Sequence, residues 1–585
     1  MNDTVPTKRA ASGRHIHTAL LVVLFIVEAI VFYAHVARDV APFYPPRFDQ
    51  LTYYLSTYDL LGAFHARGFS AFVDELMQPG NPTGTTFALQ GALLSLIGGT
   101  GRTTFLSINL LYFLALQFVF FMVLRSRIGR ADFAWTGLAL LLSSGTLFYA
   151  AGGIYDYRID FSAMCLYGIW TCLIVWCGVF RDTTKSVFVA LSGILLIYSR
   201  FFTIIYIGVV LGMLLAVNLY KLWRRTTDGR DTAALRIRNI LLSGVIIAAV
   251  CFPRLYLSRD AIYGYYMIGH VLGEEKYIRA DELGLHSLAG HLLYYPSSIL
   301  GRHVGTLTLL MAGVLASWPL LRDRINGGDM LARLRQYGPD FTALGLAVLV
   351  PVAALTANVS KSPVVGGIAT VPVLLAIMLL GAAMWPNGAA IKIGRRQVST
   401  AFVAMAIALA AFTINGLSSK DLAPRDDLER ISQLAKVIAT YAADNNLSRI
   451  SISTDRVDDY QNVGTPRLVS LETMHRNLAV DGLLGHGSHG IFATSRDDAM
   501  KLLALSDVIV LTDPVTNRAH PYPINTKIKE YWGDLWRWAN QNRTLLYCTE
   551  IFGIPYRVFV RSLPNPGAAT RPNGRFCPES RQPAE

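Results

Sequence analysis

Three carboxylates and three cations stand where an apolar chain has least use for them. Asp49 sits in Arg47-Phe48-Asp49-Gln50-Leu51-Thr52-Tyr53-Tyr54, soon after the first apolar run. Asp156, Arg158 and Asp160 crowd into Tyr155–Asp160, directly before another apolar run, and Arg200, Arg254 and Lys361 are isolated cations. A carboxylate in such a place is a candidate catalytic group. An ionisable residue within or beside a membrane span points to function, because its burial is costly. Arginine offers a planar donor fork that fits phosphate and lysine offers a point charge, so the three cations suit an anionic lipid phosphate. The plainer readings are an N-cap for Asp49, a polar turn for Asp156–Asp160, and snorkelling for each cation.

A second group lies between Ser258 and Arg302: His270, Glu274, Glu275, Lys276, Arg279, His286, His291, Tyr294, Tyr295 and Pro296. The His and Glu spacing matches no standard zinc pattern such as H-E-x-x-H, so substrate contact or loop structure is favoured over metal. Gly485-His486-Gly487-Ser488-His489-Gly490 is read as a flexible turn. It lacks the Gly-Lys-Ser/Thr ending of a phosphate-binding loop.

The elements that must hold these residues are membrane spans. The chain is 52% hydrophobic and 16% charged, well below the roughly 25% charge of a soluble protein. A net charge of +13 does not mark nucleic-acid binding here, because the excess falls in short loops between apolar runs. With about 20 apolar residues per crossing, about eleven spans are predicted. They start near Ala19, Ser107, Phe133, Phe161, Ser186, Phe201, Ile240, His303, Phe341, Ile368 and Ala401. The run Ser186–Tyr220 is too long for one crossing and is split at Tyr198-Ser199-Arg200. Phe87–Ile97 is too short to cross and reads as interfacial or re-entrant. The first apolar run is read as an uncleaved span, since no clear small-residue cleavage site follows it.

Loops bearing Arg125, Arg127 and Arg130, then Arg181 and Lys185, then Lys221–Arg238, Arg322–Arg335 and Lys392–Arg396, alternate with loops poorer in Lys and Arg. The positive-inside rule makes the first set cytoplasmic, together with the N-terminus. An odd number of spans then carries everything after Gly416 to the outer face. Asp49, Tyr155–Asp160, Arg200, the 258–302 loop and Ser360–Pro363 come out on that face as well. The first outer loop runs from about Arg38 to Leu106, far beyond the roughly 2–8 residues usual between packed helices.

Beyond residue 417 the pattern changes. Asp427–Ala443, Asp497–Leu505 and Ile528–Ala539 have helical spacing, while Arg449–Thr454, Val508–Thr512 and Arg557–Val560 read as strands. The expected organisation is a membrane domain at 1–417 with its long loop at 38–106, a soluble α/β domain at 418–563, and a Pro-, Gly- and Arg-rich tail at 564–585 without fixed structure. Cys165, Cys172, Cys177 and Cys251 fall in apolar runs as small core residues. Cys548 and Cys577 lie in the polar C-terminal part, with no spacing rule to pair them.

Taken in order, residues 18–417 resemble the GT-C superfamily of membrane glycosyltransferases, in the branch of protein O-mannosyltransferases and aminoarabinose transferases. The resemblance rests on Asp49…Tyr53-Tyr54 in the first outer loop, Asp160 closing the loop before the next span, and Arg200 at the break between two spans. It also rests on His291-Leu292-Leu293-Tyr294-Tyr295-Pro296 and on Ser360-Lys361-Ser362-Pro363…Pro372. One departure is Gln50, where the superfamily usually has Glu after the first-loop acid.

The resemblance implies transfer of a sugar from a polyprenyl-phosphate donor to an acceptor hydroxyl at the outer face, with inversion. Asp49 would be the base, Asp160 and Asp156 the second acids, and Arg200, Lys361 and Arg254 the phosphate ligands. Arg158, Tyr53, Tyr54, His270, His291, Tyr294 and Tyr295 would line the substrates. No cofactor and no obligatory metal are expected, although other GT-C branches use a divalent ion. The expected partners are the lipid-linked donor, a glycan, lipid or protein acceptor, and membrane lipids, with no nucleic acid. The expected location is a bacterial inner membrane, with the C-terminal domain periplasmic. A transporter or flippase of lipid-linked saccharide is the rival reading. It is disfavoured because no internal repeat and no paired broken spans are seen.

Overall fold

The computed structural model describes residues 9–561 apart from 43–45, 48, 78–82, 85, 149–151, 225–229, 273–279, 281–282, 323–326, 359, 385–389, 394–395, 418–423, 457–459, 461, 485–494 and 514–527. The 485–490 glycine-rich segment, Glu274, Glu275, Lys276, Arg279, Cys577 and the tail from 564 therefore lie outside the described residues. The chain forms two compact units, one of residues 1–38 and 60–420, the other of 39–59 and 421–585.

The first unit is helical. Each expected span falls on a helix: Arg9–His35, Arg102–Ile128, Ala131–Leu142, Ile159–Trp176, Thr183–Ser199, Thr203–Trp223, Arg230–Leu257, Thr306–Arg322, Gly338–Ala357, Thr370–Met384 and Thr400–Leu417. Among the described residues, seven helical segments are long and apolar enough to cross a membrane: Ile16–Val40, Arg102–Ile128, Ile159–Trp176, Thr203–Trp223, Asp231–Leu257, Gly338–Ala357 and Val365–Met384. The chain is thus a multi-pass membrane protein. Ala131–Leu142, Thr183–Ser199 and Phe402–Asn415 are apolar but shorter, as is Thr86–Gly98 over the segment expected to be interfacial.

Apolarity on every side lets these helices serve as core and as lipid-facing wall together. On Arg102–Ile128, Phe105, Phe113, Phe120 and Phe121 are fully buried while Leu111, Phe118 and Met122 point outward. Ile159–Trp176 is the central element, packed by Arg102–Ile128, Thr183–Ser199 and Thr370–Met384. Gly168 permits this closeness, since a Cβ there would lie 2.8 Å from Val371 and 2.9 Å from Leu116. The expected break after Tyr198 is real: one helix ends at Ser199 and the next begins at Thr203. A short hairpin of β1 (Ala390–Ile393) and β2 (Arg396–Ser399), not anticipated from the sequence, joins two of the later helices. Cys165, Cys172, Cys177 and Cys251 are free and buried.

The second unit is α/β. Its strands are β3 (Arg449–Thr454), β4 (Ala479–Gly482), β5 (Val508–Thr512), β6 (Thr544–Ile551) and β7 (Ile554–Val560), in spatial order β4-β3-β5-β7-β6. β3 runs parallel to β4 and β5, and β7 runs antiparallel to β5 and β6. Alternation along β5 feeds both faces, because successive strand residues point to opposite sides. Val508 and Val510 meet Ile431, Leu434 and Ile438 of helix Arg425–Asp444, while Ile509 and Leu511 meet Leu503 and Leu535 on the other side. Three strands and three helical patterns were expected here. The short β4, the bulged β6 and helix Thr465–Met474 were not, since each is short or carries polar residues that mask its period. Cys548 on β6 is disulfide-bonded.

The sequence boundary at 417 misses one feature. Residues 39–59 cluster with the C-terminal part rather than with the helical unit. The reason is the apolar stripe of helix Asp49–Arg67: Leu51 and Tyr54 are buried, and Gly464 sits so close that a Cβ on it would be 3.3 Å from both Leu51 and Leu55.

One buried carboxylate ties the sheet together. Asp455 follows β3, is 2% exposed, and accepts from the Thr512 N–H at 3.0 Å and the Thr512 hydroxyl at 2.9 Å at the end of β5. Burial pushes its pKa up to about 7, against the pull of those hydrogen bonds. The folded-state value lies above the unfolded one, so its stabilising share is full below about pH 4 and is lost as pH rises through about 7. Asp455→Asn should therefore flatten the fall in melting temperature between pH 4 and 7 that wild type shows, as read by thermal unfolding of the detergent-solubilised chain.

Candidate active site

Asp49 is exposed in the first turn of helix Asp49–Arg67. The Arg47 N–H donates to Gln50 Oε1 at 3.3 Å and the Gln50 N–H to Arg47 O at 3.0 Å, so Gln50 helps close the helix start. A carboxylate in a first turn is favoured by the positive end of the helix dipole. Tyr53 is half-buried on the same helix. Tyr54 is 2% exposed.

In the helical unit, the segment before Ile159 is a tightly wound turn. Gly152 has φ +85°, a region that favours glycine, and its N–H donates to Asp156 Oδ2 at 2.5 Å. Asp156 is 1% exposed and lies 3.1 Å from Arg158 Nε, while Asn109 Nδ2 donates to Ile154 O at 3.1 Å and Asp156 O at 2.7 Å. Asp156 and Arg158 are thus committed to holding this turn. Burial also raises the pKa of Tyr155, which stacks on Phe32 and packs at a tilt against His35.

Asp160 begins the next helix and pairs with Arg200, the residue that ends helix Thr183–Ser199. Arg200 is extended there and its N–H caps Leu196 O at 2.9 Å. The break between the two helices is further held by the Phe201 N–H on Thr83 O at 3.0 Å. Gly84 fits beneath it because any Cβ would strike Ser199 O at 2.3 Å. The segment around Thr83 and Gly84 therefore packs directly on the Arg200 turn.

Lys361 is 1% exposed, and its Nζ donates to the carbonyls of Leu355, Thr356 and Asn358. An ammonium has three donors, and all three are spent on the open end of helix Gly338–Ala357. Burial lowers its pKa to about 8. Its ammonium lies 5.4 Å from the Tyr295 ring centroid, and the Tyr295 hydroxyl accepts from the Ser362 N–H at 3.1 Å. Tyr294 is half-buried and stands edge-on to Tyr295.

Two positioning residues were not singled out in the sequence. His303, 2% exposed, bonds Pro363 O through Nε2 at 2.9 Å and Thr146 Oγ1 through Nδ1 at 3.3 Å, tying two turns together. Gly366 and Gly367 make room for its ring. Gly152 does the same for Val364, which a Cβ would meet at 2.4 Å. No sequence period marks either position.

Arg254 behaves differently from the other two cations. It is 5% exposed near the end of helix Arg230–Leu257, and its Nε and Nη1 have no hydrogen-bond partner among the described residues. Glu75 and Tyr198 are its electrostatic neighbours, and burial raises the Glu75 pKa against the pull of Arg254. The Tyr198 hydroxyl donates to Val250 O at 3.1 Å, linking the Arg200 break to the Arg254 helix. His270 falls on the helical segment Gly264–Leu272, but its side chain lies outside the described residues. His291 is half-exposed in the first turn of helix Leu288–Ser298. Among the described residues no group of His, Cys, Asp and Glu surrounds a common point.

With this geometry the chain has the GT-C fold. It is similar in structure to ArnT, an aminoarabinose transferase of Cupriavidus metallidurans, in the apo state. The TM-score is 0.56 at 13% identity, over 94% of this chain and 98% of that one. It is also similar to the archaeal oligosaccharyltransferase AglB of Archaeoglobus fulgidus, solved with an inhibitory peptide and a dolichol-phosphate. There the TM-score is 0.50 at 12% identity, over 94% of this chain and 74% of that one. No family profile and no characterised protein matches the chain at the level of sequence.

Asp160 and Arg200 are both largely withdrawn from water, at 14% and 19% exposure. Removing one partner of such a pair leaves the other desolvated and uncompensated. Asp160→Ala should therefore lower the melting temperature more than the double substitution Asp160→Ala/Arg200→Ala does, with a coupling of about 1–3 kcal/mol in a double-mutant cycle.

Proposed function

We propose that this protein is a membrane glycosyltransferase that moves a sugar from a polyprenyl-phosphate donor to an acceptor hydroxyl. The GT-C fold supports the class, and the AglB structure with its dolichol-phosphate illustrates the kind of lipid ligand that one such fold accepts. The observation that carries the reading is Arg254. A buried guanidinium with two nitrogens left without hydrogen bonds is costly unless an anion completes it. A phosphate does so with matched geometry.

In this reading Arg254 neutralises charge that grows on the phosphate as the sugar–oxygen bond breaks, where fixed positive charge is worth most. Asp49 takes the proton of the attacking hydroxyl, help worth about 10²–10⁴-fold. A single displacement inverts the anomeric centre. Asp160 and Arg200 hold each other and shape the turn beside them. In this reading the eleven spans expected from the sequence cross a bacterial inner membrane, with the N-terminus cytoplasmic and the C-terminal unit periplasmic. The disulfide at Cys548 agrees with an oxidising compartment for that unit.

The test is transfer from labelled polyprenyl-phosphate sugars by the purified protein. Asp49→Asn should cut kcat by about a hundredfold with donor binding retained. Arg254→Ala should lower kcat/KM for the lipid-phosphate donor by about tenfold or more, with Arg254→Lys between it and wild type. Wild-type kcat/KM in Arg254→Ala would remove the phosphate role.

A further inference from the structure

The helix that begins at Asp49 is gripped along one side by helix Thr465–Met474. Leu51, Leu55, Tyr58 and Asp59 recur at the i, i+4, i+7, i+8 spacing of a single helical face. Each of them meets the second helix or its start. Gly464 brings its backbone against Leu51 and Leu55, with 3.3 Å left for a Cβ. The Tyr58 hydroxyl donates to Glu472 Oε1 at 3.2 Å. The Arg467 guanidinium takes Asp59 in a two-pronged ion pair, Nη1 to Oδ2 at 3.2 Å and Nη2 to Oδ1.

These contacts span the helix from its first turn to its third. Two of them are directional, so they limit rotation about the axis as well as sliding along it. At about 100° per residue, Asp49 lies roughly 200° round the axis from Leu51. The grip is on the back of the helix and the exposed carboxylate is on the front. Burial pushes the Glu472 pKa up to about 8, so near neutrality it meets Tyr58 as a neutral acid that a glutamine can imitate.

We propose that helix Thr465–Met474 is a clamp that sets the direction of Asp49, and that Arg467 and Glu472 are positioning residues for transfer. The inference rests on Asp49 being the base. It gives the C-terminal unit a definite task in the reaction, that of fixing the angle at which the carboxylate meets the hydroxyl. Misplacement of a catalytic group by about 1 Å can cost on the order of a hundredfold.

The experiment uses the full chain in the transfer assay, with amide hydrogen exchange over residues 49–59 as a second reading. Glu472→Leu and Arg467→Asp should each lower kcat by about tenfold while the donor KM moves by less than about twofold, with faster exchange at 49–59. Glu472→Gln should keep wild-type kcat. The swapped pair Asp59→Arg/Arg467→Asp should recover most of what Arg467→Asp loses, which a general folding defect would not allow. Wild-type kcat and exchange in Glu472→Leu and Arg467→Asp, beside an inactive Asp49→Asn, would overturn the clamp and leave the base standing. Loss in Arg467→Asp that the swap does not restore would also overturn it. Full turnover in Asp49→Asn would instead remove the base, and the clamp with it.

Discussion

A charge inside an apolar helical unit must be answered by another group, and that constraint organises the first unit. Burial penalises the ionised form of each group, and the fold responds with the nearest available partner. Asp156 takes a glycine N–H and Arg158, Asp160 takes Arg200, and Lys361 takes three carbonyls at the end of a helix. Each answer also fixes a turn between two helices. The same groups that look catalytic in the sequence are therefore the ones that hold the helix ends in register.

Partnering narrows the site. Of three cations that the sequence offers for phosphate, Lys361 is exhausted by its carbonyls and Arg200 is occupied by a carboxylate. Arg254 keeps two nitrogens without hydrogen bonds at 5% exposure. Type and position cannot separate the three, because the distinction lies in which acceptors the folded chain brings near. A lysine one turn beyond a helix end finds carbonyls within reach of its own stem.

The same logic decides what could be read ahead of the structure. Helices over the apolar runs, the break at Arg200 and the strands around Ile450 and Val510 follow from hydrophobic period and charge, which are local properties. The start of a helix at Asp49 was legible for the same reason, from Leu51, Leu55 and Tyr58 at helical spacing. The burial of Asp156 and Tyr54 was not, because it depends on Asn109, Gly152 and Gly464, residues far away in sequence or silent in composition. β4 was missed because four residues with an aspartate and a glycine carry no period of their own and are ordered only by pairing with β3. The membership of residues 39–59 in the second unit was hidden likewise. An amphipathic stripe announces that it will be buried, not what will bury it.

Rigidity and exposure are divided between the two ends of the Asp49 helix face. Its back carries leucines, a tyrosine and an aspartate that are fixed by another helix, while its front carries an exposed carboxylate. A base needs this division. Full burial would raise its pKa and keep it protonated, as burial does to Asp455 and Glu472 in the same unit. Full exposure on a loop would leave its direction unset and forfeit the gain that comes from alignment. Placing the acid in the first turn, with the helix dipole behind it and the rest of the helix clamped, gives a carboxylate that stays aimed. The α/β unit can meet that requirement without touching a substrate, which is reason enough for it to share a compact core with residues more than four hundred positions earlier in the chain.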